Sequence, residues 1–242
     1  MNLLLPDIQS LQSNLLKFSV DFVWERDYEE PEKIVGTIYF PVIYPLPKNS
    51  ANRLNPTENA VFLITTRAEG QDQYIFWQHS KMLIYYPESM RGTEIISSFP
   101  LTMPPIQGLL LHSALSSTVP EDVFSLKDVK STSKGVLSIY EPTRAYRRAY
   151  KKLEIVREGK IVREITVETK KKVSIITTYG LLKLNNLTVP RKVMRISYQK
   201  NIFGKRKLSQ DTITYLKIKS SVPERFKKFK IPENADIKTV NW

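Results

Sequence analysis

The chain has 242 residues, of which 41% are hydrophobic and 25% charged, and it contains no cysteine and two histidines. The absence of cysteine excludes disulfide bonds, zinc–thiolate sites and cysteine nucleophiles. The eight glycines are at least 16 residues apart, which excludes glycine-rich phosphate loops and the nucleophile elbow of hydrolases. Neither His79 nor His112 belongs to a zinc-binding HExxH motif. Composition therefore disfavours most metal-dependent and acid–base enzymes.

Charge is distributed unevenly along the chain. Residues 1–120 carry 8 basic and 12 acidic side chains, a net charge of −4, whereas residues 121–242 carry 29 and 12, a net charge of +17. This asymmetry favours an anionic partner for the second half, such as nucleic acid, acidic protein or lipid headgroups. The alternative is that these residues are only the solvated lysines of strand edges and turns.

The N-terminal sequence, MNLLLPDIQS, lacks the basic region of a signal peptide. If the protein is exported, we expect its leader to have been removed. The longest uncharged stretch, 95–120, contains four prolines, so it is not expected to form a transmembrane helix. These features predict a soluble protein.

The first periodic pattern is helical. Leu4, Ile8, Leu11 and Leu15 recur at spacings of four, three and four, which predicts an amphipathic helix of about three turns. A period of two begins at Lys17 and predicts a strand. The acidic residues within 25–32 then predict a hairpin connection, since sequential acids in a turn are usually solvated rather than metal-bound.

A long loop rich in proline and asparagine is predicted at 41–60, with strands on both sides of it. Alternating apolar and polar residues predict strands at 34–40, 61–66, 74–78, 82–86, 136–140, 153–157, 160–167, 173–179, 192–198 and 212–218. A short apolar helix is predicted at 106–115, after two prolines. With eleven strands and two helices, we expect a mainly β (α+β) fold: an incomplete antiparallel barrel with helices covering its concave face.

The order of these motifs resembles the bacterial outer-membrane lipoprotein carrier family, the LolA-like periplasmic chaperones. The motifs that carry the likeness are the helix running into FSVDF, then GTIYF, IFWQHSKMLIYYP, the apolar helix, LSIYEP, the strands of 153–167 and a closing FKIP. They span most of the chain, 1–242, which is expected to be a single domain.

The resemblance implies a half-open barrel that binds lipoprotein acyl chains under a helical lid, here 95–120, without catalysis, cofactor or metal. The expected partners are lipoprotein acyl chains or other lipid, an inner-membrane donor complex, an outer-membrane acceptor and, transiently, an anionic membrane surface. The protein is expected to be a periplasmic monomer that does not bind nucleic acid.

The candidate lipid-binding residues are those on one predicted face of each strand, together with two lid leucines. They are Phe18, Val20, Phe22, Ile38, Phe40, Ile64, Trp77, Leu83, Tyr85, Leu109, Leu110, Leu137, Ile139, Ile155, Ile165 and Val167. The same alternation is compatible with a dry core filled by these side chains. The candidate surface-docking residues are Arg144, Arg147, Arg148, Lys151 and Lys152, because each cation near an anionic bilayer contributes about 1 kcal/mol.

The chain departs from the family pattern in three places. Phe40–Pro41 stands where the family often has an Arg-Pro pair that fastens the lid, the loop 41–60 is an insertion, and residues 181–209 supply extra strand material. A different class of function stays open: a basic module that binds a polyanion such as nucleic acid, with no lipid pocket. Its basic clusters interleave with Tyr146 and Tyr150, which could stack on bases.

Overall fold

The computed structural model describes residues 17–47, 59–66, 71–78, 80–98, 101, 103–110, 119, 121–159, 161–184, 187–201 and 204–242. The strands are β1 Phe18–Asp27, β2 Glu32–Ile43, β3 Asn59–Thr66, β4 Asp72–Gln78, β5 Lys81–Tyr86, β6 Arg91–Ile96, β7 Phe124–Thr132, β8 Gly135–Pro142, β9 Tyr150–Glu158, β10 Ile161–Thr169, β11 Lys172–Leu184, β12 Leu187–Asn201, β13 Gly204–Lys219 and β14 Asp236–Asn241. The helices are α1 Pro104–Leu110 and α2 Glu224–Lys227.

All fourteen strands belong to one open sheet. Their order is β14-β6-β5-β4-β3-β2-β1-β13-β12-β11-β10-β9-β8-β7, so β14 and β7 are the two edges and the sheet does not close into a barrel. Neighbouring strands are antiparallel, except that β14 pairs with β6 in parallel. The mainly β class is confirmed, whereas the predicted number of eleven strands is too small.

The eleven predicted strands correspond to β1–β5 and β8–β13, and the three that were not predicted are β6, β7 and β14. The predicted loop 41–60 is too long at both ends, because β2 continues through residue 43 and β3 begins at residue 59. The predicted helix 106–115 begins earlier, at Pro104, and is described only to residue 110. The predicted helix over 4–15 lies outside the described residues.

One face of the sheet, here called the first face, carries the larger apolar cluster. Cross-strand register places Val20 opposite Ile38, Ile38 opposite Leu63, and Leu63 opposite Ile75. Their side chains belong to a buried cluster that extends through β1 and β13 to β10 and β9. We call it the first cluster. It follows from strict alternation in these strands, which directs every second side chain to the same face.

The opposite, second face carries a smaller apolar cluster in the N-terminal half of the sheet. Phe62 of β3, Phe76 of β4 and Leu83 of β5 form a separate buried cluster there. The C-terminal segment covers it with Phe226 and the half-buried Phe229, whose ring lies 5.3 Å from that of Phe76. Strands β3 to β5 are therefore buried on both faces, and their sequences are correspondingly more continuous in apolar residues.

Gly36 of β2 allows close packing on the first face. A Cβ atom at this position would lie 2.4 Å from the carbonyl oxygen of Ile64 and 2.8 Å from the ring of Phe22. Phe22 is the residue opposite Gly36 on β1. The glycine thus leaves room for an aromatic ring on the neighbouring strand, an arrangement that fixes register.

The described helices are short, with seven residues in α1 and four in α2. Neither has the length and apolar character that crossing a membrane would require.

Candidate functional site: an apolar sheet face and a serine-floored cleft

The segment from Leu101 to Leu109 packs onto the first cluster. Leu101, Met103, Ile106 and Leu109 are all buried members of that cluster. Proline at 104 and 105 begins α1 where a helix tolerates the missing N–H groups. This segment therefore belongs to the apolar core of the first face.

Two side chains of the sheet donate hydrogen bonds to carbonyl oxygens of this segment. The indole N–H of Trp77 donates to Leu101 at 3.1 Å, and the hydroxyl of Tyr215 donates to Pro105. Burial raises the pKa of the Tyr215 phenol well above its ordinary value, against the opposing effect of a backbone hydrogen bond at Leu109. The phenol therefore stays protonated and remains a donor at neutral pH.

Gly108 lets α1 approach the sheet closely. A Cβ at this position would lie 2.3 Å from the Tyr215 hydroxyl oxygen and 3.3 Å from a methyl group of Val193. Both contacts come from strands at the centre of the sheet, β13 and β12. The position of α1 therefore depends on the close approach at Gly108 as well as on the hydrogen bond from Tyr215 to Pro105.

A cleft of about 470 Å³ opens on the first face, beyond the row of Val193 and Ile213. Its lining comes from β10 to β13, the β1–β2 turn and the start of β9. The lining residues are Tyr28, Ala149, Tyr150, Val167, Thr169, Lys172, Ser174, Arg195, Ser197, Leu208 and Ser209. Ser174, Ser197 and Ser209 are cross-strand partners on β11, β12 and β13, so their hydroxyl groups form the floor.

Arg195 is held at the cleft by a buried carboxylate. Asp211 is only 1% exposed, and it accepts from the Arg195 Nε at 2.9 Å and from a second nitrogen of the same guanidinium. It also accepts from the indole of Trp24 at 3.1 Å and from the Tyr28 hydroxyl at 3.2 Å. These bonds satisfy the Asp211 charge and use two of the five N–H groups of Arg195.

Arg26 extends this network along the same row of the sheet. Its guanidinium lies 4.9 Å from the Trp24 ring centre and 4.8 Å from that of Tyr28, and it pairs with Glu32 at 2.8 Å. Cation–π contacts of this kind hold both aromatic rings beside the carboxylate. This row has no net charge, because its two arginines are balanced by its two acids: Arg26, Arg195, Glu32 and Asp211.

The outer end of the cleft is basic. The register places Lys172, Gln199 and Arg206 side by side, one row beyond the serines. Two nearby acids already have partners: Glu168 pairs with Lys200, which lowers the pKa of Glu168, and Asp27 pairs with Lys207 at 2.7 Å. The positive charge of the outer row is therefore not cancelled by these acids.

Tyr150 lies between the cleft and the first cluster. Burial raises the pKa of its phenol, and the neighbouring Tyr146 adds to the effect. The ring packs edge-on against Phe124 at 5.5 Å. Val167, a member of the first cluster, also lines the cleft, so polar and apolar sites are continuous on this face.

The structure brings ten of the sixteen candidate lipid-binding residues into the first cluster. These are Phe18, Val20, Phe22, Ile38, Phe40, Trp77, Leu109, Ile155, Ile165 and Val167. The remaining candidates on strands are not members of this cluster.

Five candidates lie away from the first face. Ile64, Leu83 and Tyr85 are on the second face, where the C-terminal segment packs. Leu137 and Ile139 of β8 are half-buried and alternate with Ser138, the partner of Ile155, which places them opposite the first cluster. Alternation identifies a face within a strand, but register between distant strands decides which faces coincide. Leu110 ends α1, and its side chain lies outside the described set.

The candidate docking residues are near the cleft end of the sheet. Arg144, Arg147, Arg148 and Lys151 are exposed in the β8–β9 connection and at the start of β9. Lys152 is less exposed and pairs with Glu154 at 2.6 Å. Strand β9 begins at Tyr150, opposite Thr169 of β10, so this connection and the β10–β11 turn are at the same end.

Sequence reasoning did not identify the serine floor, Arg195 or Asp211. The sequence does contain one sign of them, because charged residues interrupt the apolar positions on the core-facing side of two strands. Arg195 falls between Val193 and Ser197, and Asp211 precedes Ile213 on the same face. An acid and an arginine at core-facing positions of two strands indicate a buried ion pair, but the sequence does not show that the strands are neighbours.

Comparisons with known proteins do not identify a family. No family model matches the chain, and no curated protein is similar to it in sequence. Among solved structures, the chain is similar to an uncharacterized conserved protein from Thermus thermophilus, with 8% identity, a TM-score of 0.32 and coverage of 96% of each chain.

Proposed function

We propose that the protein is a non-enzymatic carrier that binds acyl chains of lipoproteins, or of another lipid, on the first face of its sheet. In this proposal α1 and its flanking residues form a lid over the first cluster, on a concave side of the sheet. The main support is the breadth of the first cluster, which in sheet order extends from β4 through β1 and β13 to β9. The segment that covers it includes a helix of only seven residues.

The energetics suit binding that can be reversed. An acyl chain of about sixteen carbons gains roughly 12 kcal/mol on full burial, at about 0.8 kcal/mol per methylene. Displacing the four apolar side chains of the 101–109 segment costs about 1.5–3 kcal/mol each. The two amounts are similar, so the net affinity is small enough for release to an acceptor.

We further propose a cellular setting for this activity. A carrier of this kind works in the periplasm, takes lipoprotein from an inner-membrane donor complex and delivers it toward an outer-membrane acceptor. The exposed basic residues of the β8–β9 connection support transient contact with an anionic membrane surface, since a few such cations suffice for docking.

Quenching by a brominated fatty acid tests acyl-chain binding directly. Trp77 lies in the first cluster, whereas Trp242 is 72% exposed at the end of the chain. We expect dibromostearic acid at micromolar concentration to quench the wild-type fluorescence. Trp77→Phe should remove a large part of the quenchable signal, and the control Trp242→Phe should leave that signal intact.

Native mass spectrometry of the freshly purified protein provides an independent readout, in which co-purified acyl lipid is expected. The carrier proposal would be abandoned if no lipid co-purifies and dibromostearic acid quenches neither Trp77 nor Trp24, which also packs against the first cluster.

A second candidate is a basic module that binds a polyanion without a lipid pocket. The observation that favours it is the convergence of the β8–β9 connection, the β10–β11 turn and the start of β13 at one end of the sheet. Tight oligonucleotide binding that weakens steeply with salt, in protein that carries no lipid, would favour this candidate over the carrier.

A further inference from the structure

We propose that the serine-floored cleft binds the anionic phosphate headgroup of an acyl lipid whose chain lies on the first cluster. This inference rests on the proposed carrier function and names the class of ligand. It is carried by the lining of the cleft: Arg195 fixed at its inner end, hydroxyl groups across its floor and Lys172 at its outer end.

The side chains of the first face change in character along the strands. Around the middle of β12 and β13, the cross-strand partners Val193 and Ile213 belong to the first cluster. The next row holds the Arg195–Asp211 pair, the row after it holds Ser197 and Ser209, and the outer row is basic. From Tyr215, beneath α1, to Ser209 the distance along β13 is roughly 20 Å. The site is therefore amphipathic along its length, like a lipid.

The arginine at the inner end is preorganised. Asp211 fixes the Nε edge of the Arg195 guanidinium, and Trp24 and Tyr28 fix Asp211. A guanidinium held in this way presents its remaining N–H groups without losing rotamer freedom on binding. Hydrogen bonds from a guanidinium to phosphate oxygens are charge-assisted, and they are stronger than those to neutral acceptors.

The floor and the outer row complete the recognition of a phosphate. Ser174 and Ser197 lie 3.2 Å apart through their hydroxyl oxygens, and hydroxyl groups can donate to phosphate oxygens. Lys172 lines the cleft at its exposed outer end. The volume of 470 Å³ is within the usual range for sites of small ligands, about 300–1,000 Å³.

The test compares two monomeric ligands with the same acyl chain, lysophosphatidylglycerol and a monoacylglycerol, by titration below their micelle concentrations. We expect the phosphate-bearing lipid to bind at least about fivefold more tightly, since each lysine or arginine near an anionic group contributes about that factor. Lys172→Ala should reduce this preference by about fivefold and leave monoacylglycerol binding unchanged.

A matched control and a second variant accompany this comparison. Lys217→Ala removes an exposed lysine next to Leu216 on β13, away from the cleft, and should leave the preference unchanged. Ser197→Leu places an apolar side chain on the floor of the cleft and should abolish the preference, while circular dichroism confirms that the variant is folded.

The outcomes separate the two proposals. Equal binding of both lipids, or a preference that survives Lys172→Ala and Ser197→Leu, overturns the headgroup site and leaves the carrier function in place. Failure of both lipids to bind overturns the carrier function and the headgroup site with it. Glycerol phosphate without an acyl chain is the third ligand, and if it binds as tightly as the lysolipid, the cleft is a site for a soluble phosphate instead.

Discussion

Asp211 illustrates how a charged residue is accommodated in an apolar sheet face. A buried carboxylate is costly unless charge and hydrogen bonds compensate it, and here it receives bonds from Trp24, Tyr28 and Arg195. The same bonds position the arginine at the cleft. Structural compensation and the proposed headgroup recognition therefore depend on one carboxylate.

Asp211→Asn should destabilise the fold markedly, because the amide keeps the side-chain shape but leaves the Arg195 charge without its partner. Loss of one member of a buried pair costs about 3–5 kcal/mol, and since the Arg195 side chain is 25% exposed, we expect a smaller loss of about 2–3 kcal/mol. Urea unfolding measures it.

Asp27→Asn is the matched control for this change. Asp27 pairs with Lys207 at the surface, where the two side chains are 59% and 44% exposed, so the free energy of unfolding should change by less than about 1 kcal/mol. Similar effects of the two substitutions would contradict the assignment of a special role to the buried pair.

At the scale of elements, α1 depends on its neighbours for its stability. A helix of seven residues is too short to be stable in isolation. Its buried side chains, the Tyr215 bond to Pro105 and the fit of Gly108 hold it in place. In the proposed carrier, an acyl chain has to displace these contacts to reach the first cluster.

Gly108→Ala should destabilise the protein, although alanine is the better helix former by about 1 kcal/mol. The new methyl group would lie 2.3 Å from the Tyr215 hydroxyl oxygen, and overpacking of this kind costs about 1–3 kcal/mol. Thermal and urea unfolding of the single variant should show a net decrease in the free energy of unfolding.

Tyr215→Phe provides the rescue in a double-mutant cycle. Without the hydroxyl, the nearest atoms to the new methyl group are at 3.3 and 3.4 Å, so Gly108→Ala should cost less in the Tyr215→Phe background than in the wild type. Equal costs in the two backgrounds would show that the hydroxyl does not limit the approach of α1.

At the scale of the whole molecule, an open sheet leaves two edge strands that must not pair with other molecules. β7 is mostly exposed, with Leu126 and Val129 more than half exposed. Its lysines, Lys127 and Lys130, interrupt the apolar residues and form ion pairs with Glu141 and Asp128. Lysine on an edge strand opposes edge-to-edge association, which supports the prediction of a monomer.

The double variant Lys127→Ile with Lys130→Ile should therefore associate at micromolar concentration, as measured by size-exclusion chromatography with light scattering. The control places the same two substitutions on exposed lysines of internal strands, at Lys183 of β11 and Lys192 of β12. The control should remain monomeric. Association of both variants to the same extent would indicate general hydrophobicity as the cause rather than the free edge.

The strands that could not be predicted are those at the ends of the sheet. β14 and its neighbour β6 have only six residues each, and the opposite edge β7 is exposed along most of its length, so none of the three carries a long pattern of alternating apolar and polar residues. Central strands with one buried face alternate apolar and polar residues, and β3 to β5, which are buried on both faces, carry longer apolar runs. Edge strands form because a neighbour offers hydrogen bonds, and that neighbour is not encoded locally.

The mainly β class, eleven of the strands and the basic character of the second half follow from the amino-acid sequence, because alternation and charge are local properties of the chain. The folded sheet is needed to see that Ile64, Leu83 and Tyr85 lie on the opposite face from Val20 and Ile38. It is also needed to see that serines from three strands meet beside Arg195. The physical reason is register: which residues of distant strands become neighbours depends on hydrogen bonding and packing across the whole sheet.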